Sequence, residues 1–305
     1  MRRICWGLLL AAMWPFGAMA DEFDNGLATL WEVLWHQSGT PTRIVRWEGD
    51  IRVRLHGVNI AAHREHTLQA LRAVTSEAGL KLIDVSGQPE ELTANLTVEI
   101  TADNALEDNQ PCVTYLDFKS ETKIDSAVVQ MRSKDAWRCA YHEAMHVMGV
   151  RGHPAGQTVL SYFPWKVDSL MALDKVMLRA WYSPRMRGGM TPFEALPVLA
   201  DELVATAPNK TQASQVRDQF FAITVQQMHA YANGQGDVPA VVKRSGKATT
   251  EGIRYGRAEM SYFLGIAYME GVTTPRDSTQ AVRWLERAAT MGSRGAQAKL
   301  GAFKQ

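Results

Sequence analysis

The chain has almost no net charge: 33 Lys and Arg stand against 32 Asp and Glu in 305 residues. A protein that grips nucleic acid through its phosphates needs a basic face, and without that excess no nucleic-acid partner is expected. Cysteine is scarce, with three residues in all. Long apolar runs are missing beyond the first twenty residues, so no membrane span is expected after them. What remains, 46% apolar and 21% charged residues, is ordinary for a globular protein and long enough for one sizeable core plus a smaller second unit.

The first twenty residues are different material. Arg2 and Arg3 precede an uncharged apolar run from Ile4 to Gly17, and Ala18-Met19-Ala20 supplies the small-x-small pattern of a signal-peptidase site. The run is short for a bilayer span, so the reading is a secretory signal peptide over residues 1–20, with an uncleaved anchor as the alternative. Export would place the mature chain in the periplasm or extracellular space, an oxidising setting. Once Cys5 is removed with the signal, Cys112 and Cys139 are the pair left there, and a bridge between them is expected over two buried thiols. Closing that loop stabilises by about 3 kcal/mol in the chain-entropy model.

Periodicity then gives an α+β domain. Asp24 to Trp35 reads as a helix, and Arg43 to Trp47 with Ile51 to Leu55 as a hairpin around Glu48-Gly49-Asp50. Ala62 to Ala78 is helical, and Lys81 to Val85, Leu96 to Thr101 and Ala127 to Met131 read as strands. Ser133 and Asp135 are N-cap candidates for a helix from about Ala136 to Met148, ended by Gly149. Further helices are expected over Asp168 to Tyr182, Thr191 to Ala205 and Gln212 to Tyr231, followed by a linker through Thr250. The domain division is therefore 21–205 for the α+β unit, 206–250 for a helix and linker, and 251–305 for a helical unit.

His142-Glu143-Ala144-Met145-His146 falls on the helix that ends at Gly149. Histidines four apart share one helix face, one turn apart, where one Zn²⁺ with bonds of about 2.0–2.1 Å can take both. Glu143, offset around the helix, lies beside such a metal without ligating it and is placed to take a proton from water as general base. A catalytic zinc needs a third protein ligand. His153 leads, because Gly149 and Gly152 let the chain fold back; Asp168 and Asp174 are carboxylate alternatives. Cys139, one turn before His142, is a less favoured ligand. His63 and His66 share a helix face with nothing to complete a site, and read as solvated, while His36, His56 and His229 are isolated.

The run from His142 to His153 resembles the metzincin metallopeptidase signature HExxHxxGxxH, with one extra residue before the third histidine. Thr158-Val159-Leu160-Ser161-Tyr162 resembles the turn beneath the zinc in that clan, with Leu160 where a methionine is usual. The resemblance implies a zincin-like mixed sheet carrying an active-site helix. It also offers Tyr162 as a donor to the developing oxyanion, with a packed aromatic as the alternative. Ala127 to Met131 would be the edge strand that pairs with extended substrate. Together with Asp168 to Lys175 and Trp181 to Arg185, these segments also resemble a family of uncharacterised bacterial exported proteins regarded as zinc metallopeptidases on the same motif.

Near the C-terminus, Leu264-Gly265, Tyr268, Gly271, Asp277, Ala281, Trp284, Ala288-Ala289 and Gly292 are similar to the Sel-one-like repeat, a relative of the tetratricopeptide repeat. Residues 296–301 echo 258–265 as the start of a second unit. One pair of helices cannot bury its apolar face alone, so the unit is expected either to present a surface to a protein partner or to dock as a cap on Gln212 to Tyr231. The sequence thus points to an exported zinc peptidase acting on peptides or proteins, with Glu143 and Tyr162 catalytic and His142, His146 and His153 on Zn²⁺. The alternative is a non-catalytic zinc-containing adaptor acting through its repeat.

Overall fold

The structure, a computed structural model, describes residues 16–36, 38–89, 93–161 and 167–303, with backbone alone at 16–21 and 303. These residues form a mixed α+β architecture with one five-stranded sheet and ten α-helices. The first helix, α1 (Phe16–Glu32), buries Leu27, Leu30 and Trp31 and begins ahead of the expected cleavage point after Ala20. Residues 1–15 of the expected signal peptide lie outside the described residues.

The sheet is built from β1 (Ile51–Gly57), β2 (Leu82–Asp84), β3 (Leu96–Thr101), β4 (Cys112–Ser120) and β5 (Lys123–Arg132). Helix α2 (Ile60–Glu77) makes the parallel crossover from β1 to β2. Spatial order is β2-β1-β3-β5-β4; the first four are parallel, and β4 runs antiparallel to β5.

This order corrects two expectations. Arg43 to Trp47 is not half of a hairpin with β1, because both edges of β1 are already taken by β2 and β3. The segment instead bonds elsewhere: Arg46 N–H donates to Thr122 O and Ile44 N–H to Met190 O. Nor is Ala127 to Met131 an edge strand. It lies inside β5, between β3 and β4, and the edge belongs to β4. The antiparallel strand β4 escaped the sequence reading because it has no buried face to produce an alternation; after Cys112 its residues are half-buried or exposed.

Behind the sheet, α3 (Ala136–Val147) follows a 3-10 turn at Ser133–Asp135 and packs against α2 and β4. Asp135 stands at its N-cap but does not cap it; the carboxylate is drawn to Arg132 and Arg138 at 2.7 Å each. The C-terminal end of α3 leaves carbonyls without helical partners, and these are met from outside. Trp47 Nε1 donates to Val147 O at 2.8 Å and Tyr182 Oη to Met148 O at 2.9 Å.

The remaining helices are α4 (Ala172–Trp181), α5 (Pro192–Thr206), α6 (Lys210–Ala232), α7 (Ala240–Arg244), α8 (Thr250–Glu270), α9 (Ser278–Thr290) and α10 (Arg294–Phe303). Residues 233–250, expected as linker, hold the short helix α7, which buries Val241 and Val242. Helices α8 and α9 pair closely, and α8 rests on α5 and α6. Arg43 bonds Tyr262 Oη at 2.5 Å and stacks within 5.8 Å of the Phe263 ring, so the helical unit is docked on the α+β unit through one continuous apolar core. No described helix is long and apolar enough to cross a membrane.

Candidate metal centre

Helix α3 sets the first two histidines. His142 and His146 project from one face, and each Nδ1 meets a backbone carbonyl: Val159 O at 3.0 Å and Val150 O at 2.7 Å. A carbonyl oxygen only accepts, so Nδ1 carries the ring proton in both and each Nε2 keeps its lone pair. His153 joins them through backbone shape. Gly149 takes φ +88° at the end of the helix, and Gly152 passes so close to α1's exit that a Cβ there would strike the Val33 backbone. The three Nε2 atoms then stand 3.0, 3.2 and 3.2 Å apart.

Lone pairs converging at that separation repel unless a cation lies among them. Three imidazole nitrogens suit zinc, copper, iron or nickel, and separations this short are compatible with all three holding one ion at bonds of about 2.0–2.1 Å. The cluster therefore fits a divalent metal. Burial, then the neighbouring His153, pushes the His142 pKa down to about 3. His153 falls to about 4 through burial and His36, and His146 lies well below its usual value, mainly through burial. All three rings are neutral near pH 7.

The support reaches a second layer. Asp174, fully buried, accepts from the backbone N–H groups of Val159 at 3.2 Å and Met171 at 2.9 Å. It thereby holds the Thr158–Ser161 turn whose Val159 carbonyl orients His142. This occupation explains why Asp174 is not the third member of the cluster. Asp168 is also elsewhere, accepting from Trp137 Nε1 at 2.9 Å. Tyr162 lies outside the described residues.

Glu143 is 3% exposed and accepts a 2.6 Å hydrogen bond from Thr114 Oγ1 of β4. Burial raises its pKa to about 7, against the opposing pull of that bond. A disulfide joins Cys112 to Cys139, with Cα atoms 6.3 Å apart. Cys112 and Thr114 share one face of β4, and Cys139 and Glu143 share one face of α3, so the bridge and the hydrogen bond are successive ties between strand and helix. Between them opens a cavity of about 610 Å³, lined by the three histidines, Glu143 and much of β4.

His36 also lines this cavity, with Arg151. No sequence signal marked His36: it is 106 residues from His142, and only the loop after α1 brings it in. Its pKa is lowered by burial and by the Arg151 charge. The other histidines pack elsewhere. His63 Nε2 contacts Ser133 Oγ at 3.1 Å. His66 is buried, not solvated, stacked on Trp137 with centroids 3.8 Å apart. His229 lies edge-on to Trp284.

Two known families match parts of the chain. Residues 18–152 match a protein of unknown function, DUF2927, a span that includes His142, Glu143 and His146 and ends one residue before His153. Residues 258–293, covering most of α8 and all of α9, match the Sel1 repeat. No curated protein and no solved structure matches the chain. The chain thus joins a DUF2927 domain, which contains the helix of the histidine cluster, to a C-terminal Sel1 repeat.

Proposed function

We propose that this protein is an exported zinc-dependent peptidase with a zincin-like catalytic unit, in which His142, His146 and His153 hold the metal and Glu143 is the general base. The observation that carries this reading is the convergence of three imidazole Nε2 atoms beside a cavity that the buried Glu143 carboxyl group also lines. Zn²⁺ held there supplies Lewis acidity that makes a water molecule acidic near pH 7. Thr114 engages Glu143 Oε2, which leaves Oε1 to take the proton of that water and return it to the leaving nitrogen.

Substrate would lie along β4. This strand is the sheet edge beside the cavity, and an extended peptide pairing with its free backbone groups needs little from its own side chains. Tyr115 and Phe118 on the strand are exposed and offer apolar contact. The disulfide fits an oxidising compartment, consistent with export.

The test compares metal content and hydrolysis of a casein-type substrate in wild type and Glu143→Gln. The variant should keep stoichiometric metal and lose cleavage, and wild-type cleavage should stop with a chelator. Cleavage that survives Glu143→Gln would sink the mechanism. A second reading rests on the Sel1 repeat, a module that commonly mediates protein–protein interaction: a non-catalytic metal domain presenting the repeat to a partner. Stoichiometric metal with no turnover would favour it.

A further inference from the structure

The cavity wall beside the histidine cluster holds groups that the proposed hydrolysis does not use. Arg151 lines it half-buried, two residues before His153. Among the described residues no carboxylate lies within ion-pair distance of its guanidinium; its one hydrogen bond is a long one, 3.5 Å, to Arg43 O. Two other arginines of this half are better matched: the buried Arg132 bonds two aspartates, and the half-buried Arg46 bonds the Met186 carbonyl at 2.7 Å. A guanidinium taken out of water without an anion is costly, and its planar fork suits a carboxylate.

His36 stands beside it on the same wall. The Ser38 backbone N–H points at His36 Nδ1, 3.3 Å away. A backbone N–H only donates, so Nδ1 accepts and the ring proton sits on Nε2. This is the reverse of His142 and His146, whose Nδ1 atoms donate and whose Nε2 atoms carry lone pairs. The same side chain is thus set in one tautomer to bind a cation and in the other to donate to an anion. Ser38 Oγ, itself 2.8 Å from Thr40 Oγ1, fixes the ring further.

We infer that Arg151 and His36 form a carboxylate-binding subsite next to the three-histidine cluster. As a statement about substrate it rests on the peptidase reading: the preferred peptide presents a carboxylate close to the scissile bond, from its C-terminus or from an Asp or Glu side chain.

Three peptides of equal length separate the sources: acetyl-Ala-Ala-Ala with a free carboxylate, the same peptide amidated, and amidated acetyl-Ala-Glu-Ala. Binding is measured by calorimetry on the full chain freed of metal, which removes both turnover and direct carboxylate–metal bonds. One carboxylate peptide should bind at least about tenfold more tightly than the neutral one, the scale of a charge-assisted contact; which one does so names the source. Arg151→Met should erase the preference, and Arg151→Lys should keep part of it, both with wild-type metal affinity. His36→Leu should weaken it and His36→Gln, which keeps an N–H at the tip, should restore it, a pair that decides the matter if Arg151→Met does not fold. If the three peptides bind alike, if none binds, or if the preference outlasts Arg151→Met, the subsite does not exist. Should the preference hold while the zinc-loaded protein cleaves neither these peptides nor a casein-type substrate, the peptidase reading fails and the subsite stands.

Discussion

The two halves of the molecule bury different things. Between β1 and the start of α4 the interior takes in His66, Arg132, Asp135, His142, Glu143 and Asp174, all of them buried. From α5 to α10 no described Asp, Glu, His, Lys or Arg side chain is buried in this way; the buried polar groups are hydroxyls such as Thr191, Thr224, Ser261 and Ser293, with the phenols of Tyr231 and Tyr262. Burying charge is expensive, so a region that does it repeatedly, with His142 and Glu143 set against a cavity, is arranged for chemistry. The Sel1 half is arranged for packing: Ala258, Leu264, Ile266, Ala281, Leu285 and Ala288 form its interface. That interface is also spent largely within the chain, since α8 rests on α5 and α6.

The sharpest way to break this contrast is a pair of substitutions read with two instruments. Leu285→Ala, at a site with no exposure and in contact with the Gly265 backbone, should cost about 2–5 kcal/mol of stability by denaturant titration. Metal stoichiometry should not change. If it falls, the halves are coupled and the comparison fails.

Asp174→Asn should do the opposite. It leaves the packing volume but disturbs the turn that orients His142, so metal affinity should fall about 10–100-fold, measured by competition with a chromogenic chelator. His153→Ala should fall further, since it removes a member of the cluster itself. Unchanged affinity in His153→Ala would remove that residue from the metal site.

The last effect is a pH dependence confined to the metal-free protein. His142 and His153 titrate near 3 and 4 in the fold and about 6.5 when unfolded. The unfolded chain therefore takes up protons first as pH drops below about 6.5, and the stability present above that value is lost on the way to pH 4. Glu143 acts in the other sense, because its raised pKa favours the fold most below about 4.5 and the advantage is lost as pH rises through about 7. Three histidines outweigh one carboxyl group, so the unfolding midpoint should rise from pH 4.5 to 6.5, more steeply in Glu143→Gln. A flat profile would mean that the histidines are not held neutral.

Much of the site was legible because it is local. The i, i+4 histidines, Glu143 between them and the glycines that return the chain to His153 lie within twelve residues, where helix geometry fixes their relation. The repeat was legible for the same reason. The Cys112–Cys139 bridge was also expected, from an even pair left in an oxidising compartment. What the residues did not disclose depends on which edge of which strand is occupied. Ile51 to Leu55 alternates as a hairpin strand would, and nothing within it says that β2 and β3 fill both sides. The strand β4, which holds Thr114 against Glu143, leaves almost no burial pattern to read.

The sequence by itself determined that two imidazoles and one carboxyl group would share one helix, since rise per residue is a local property, and it left His153 competing with Asp168 and Asp174 for the third place. Only the tertiary structure decided what surrounds them. Sheet order turned β4 into the edge that faces Glu143, and the loop after α1 carried His36 to Arg151 across more than a hundred residues. Those placements follow from long-range packing, and with them came the tautomer of His36, which a single backbone N–H of Ser38 fixes.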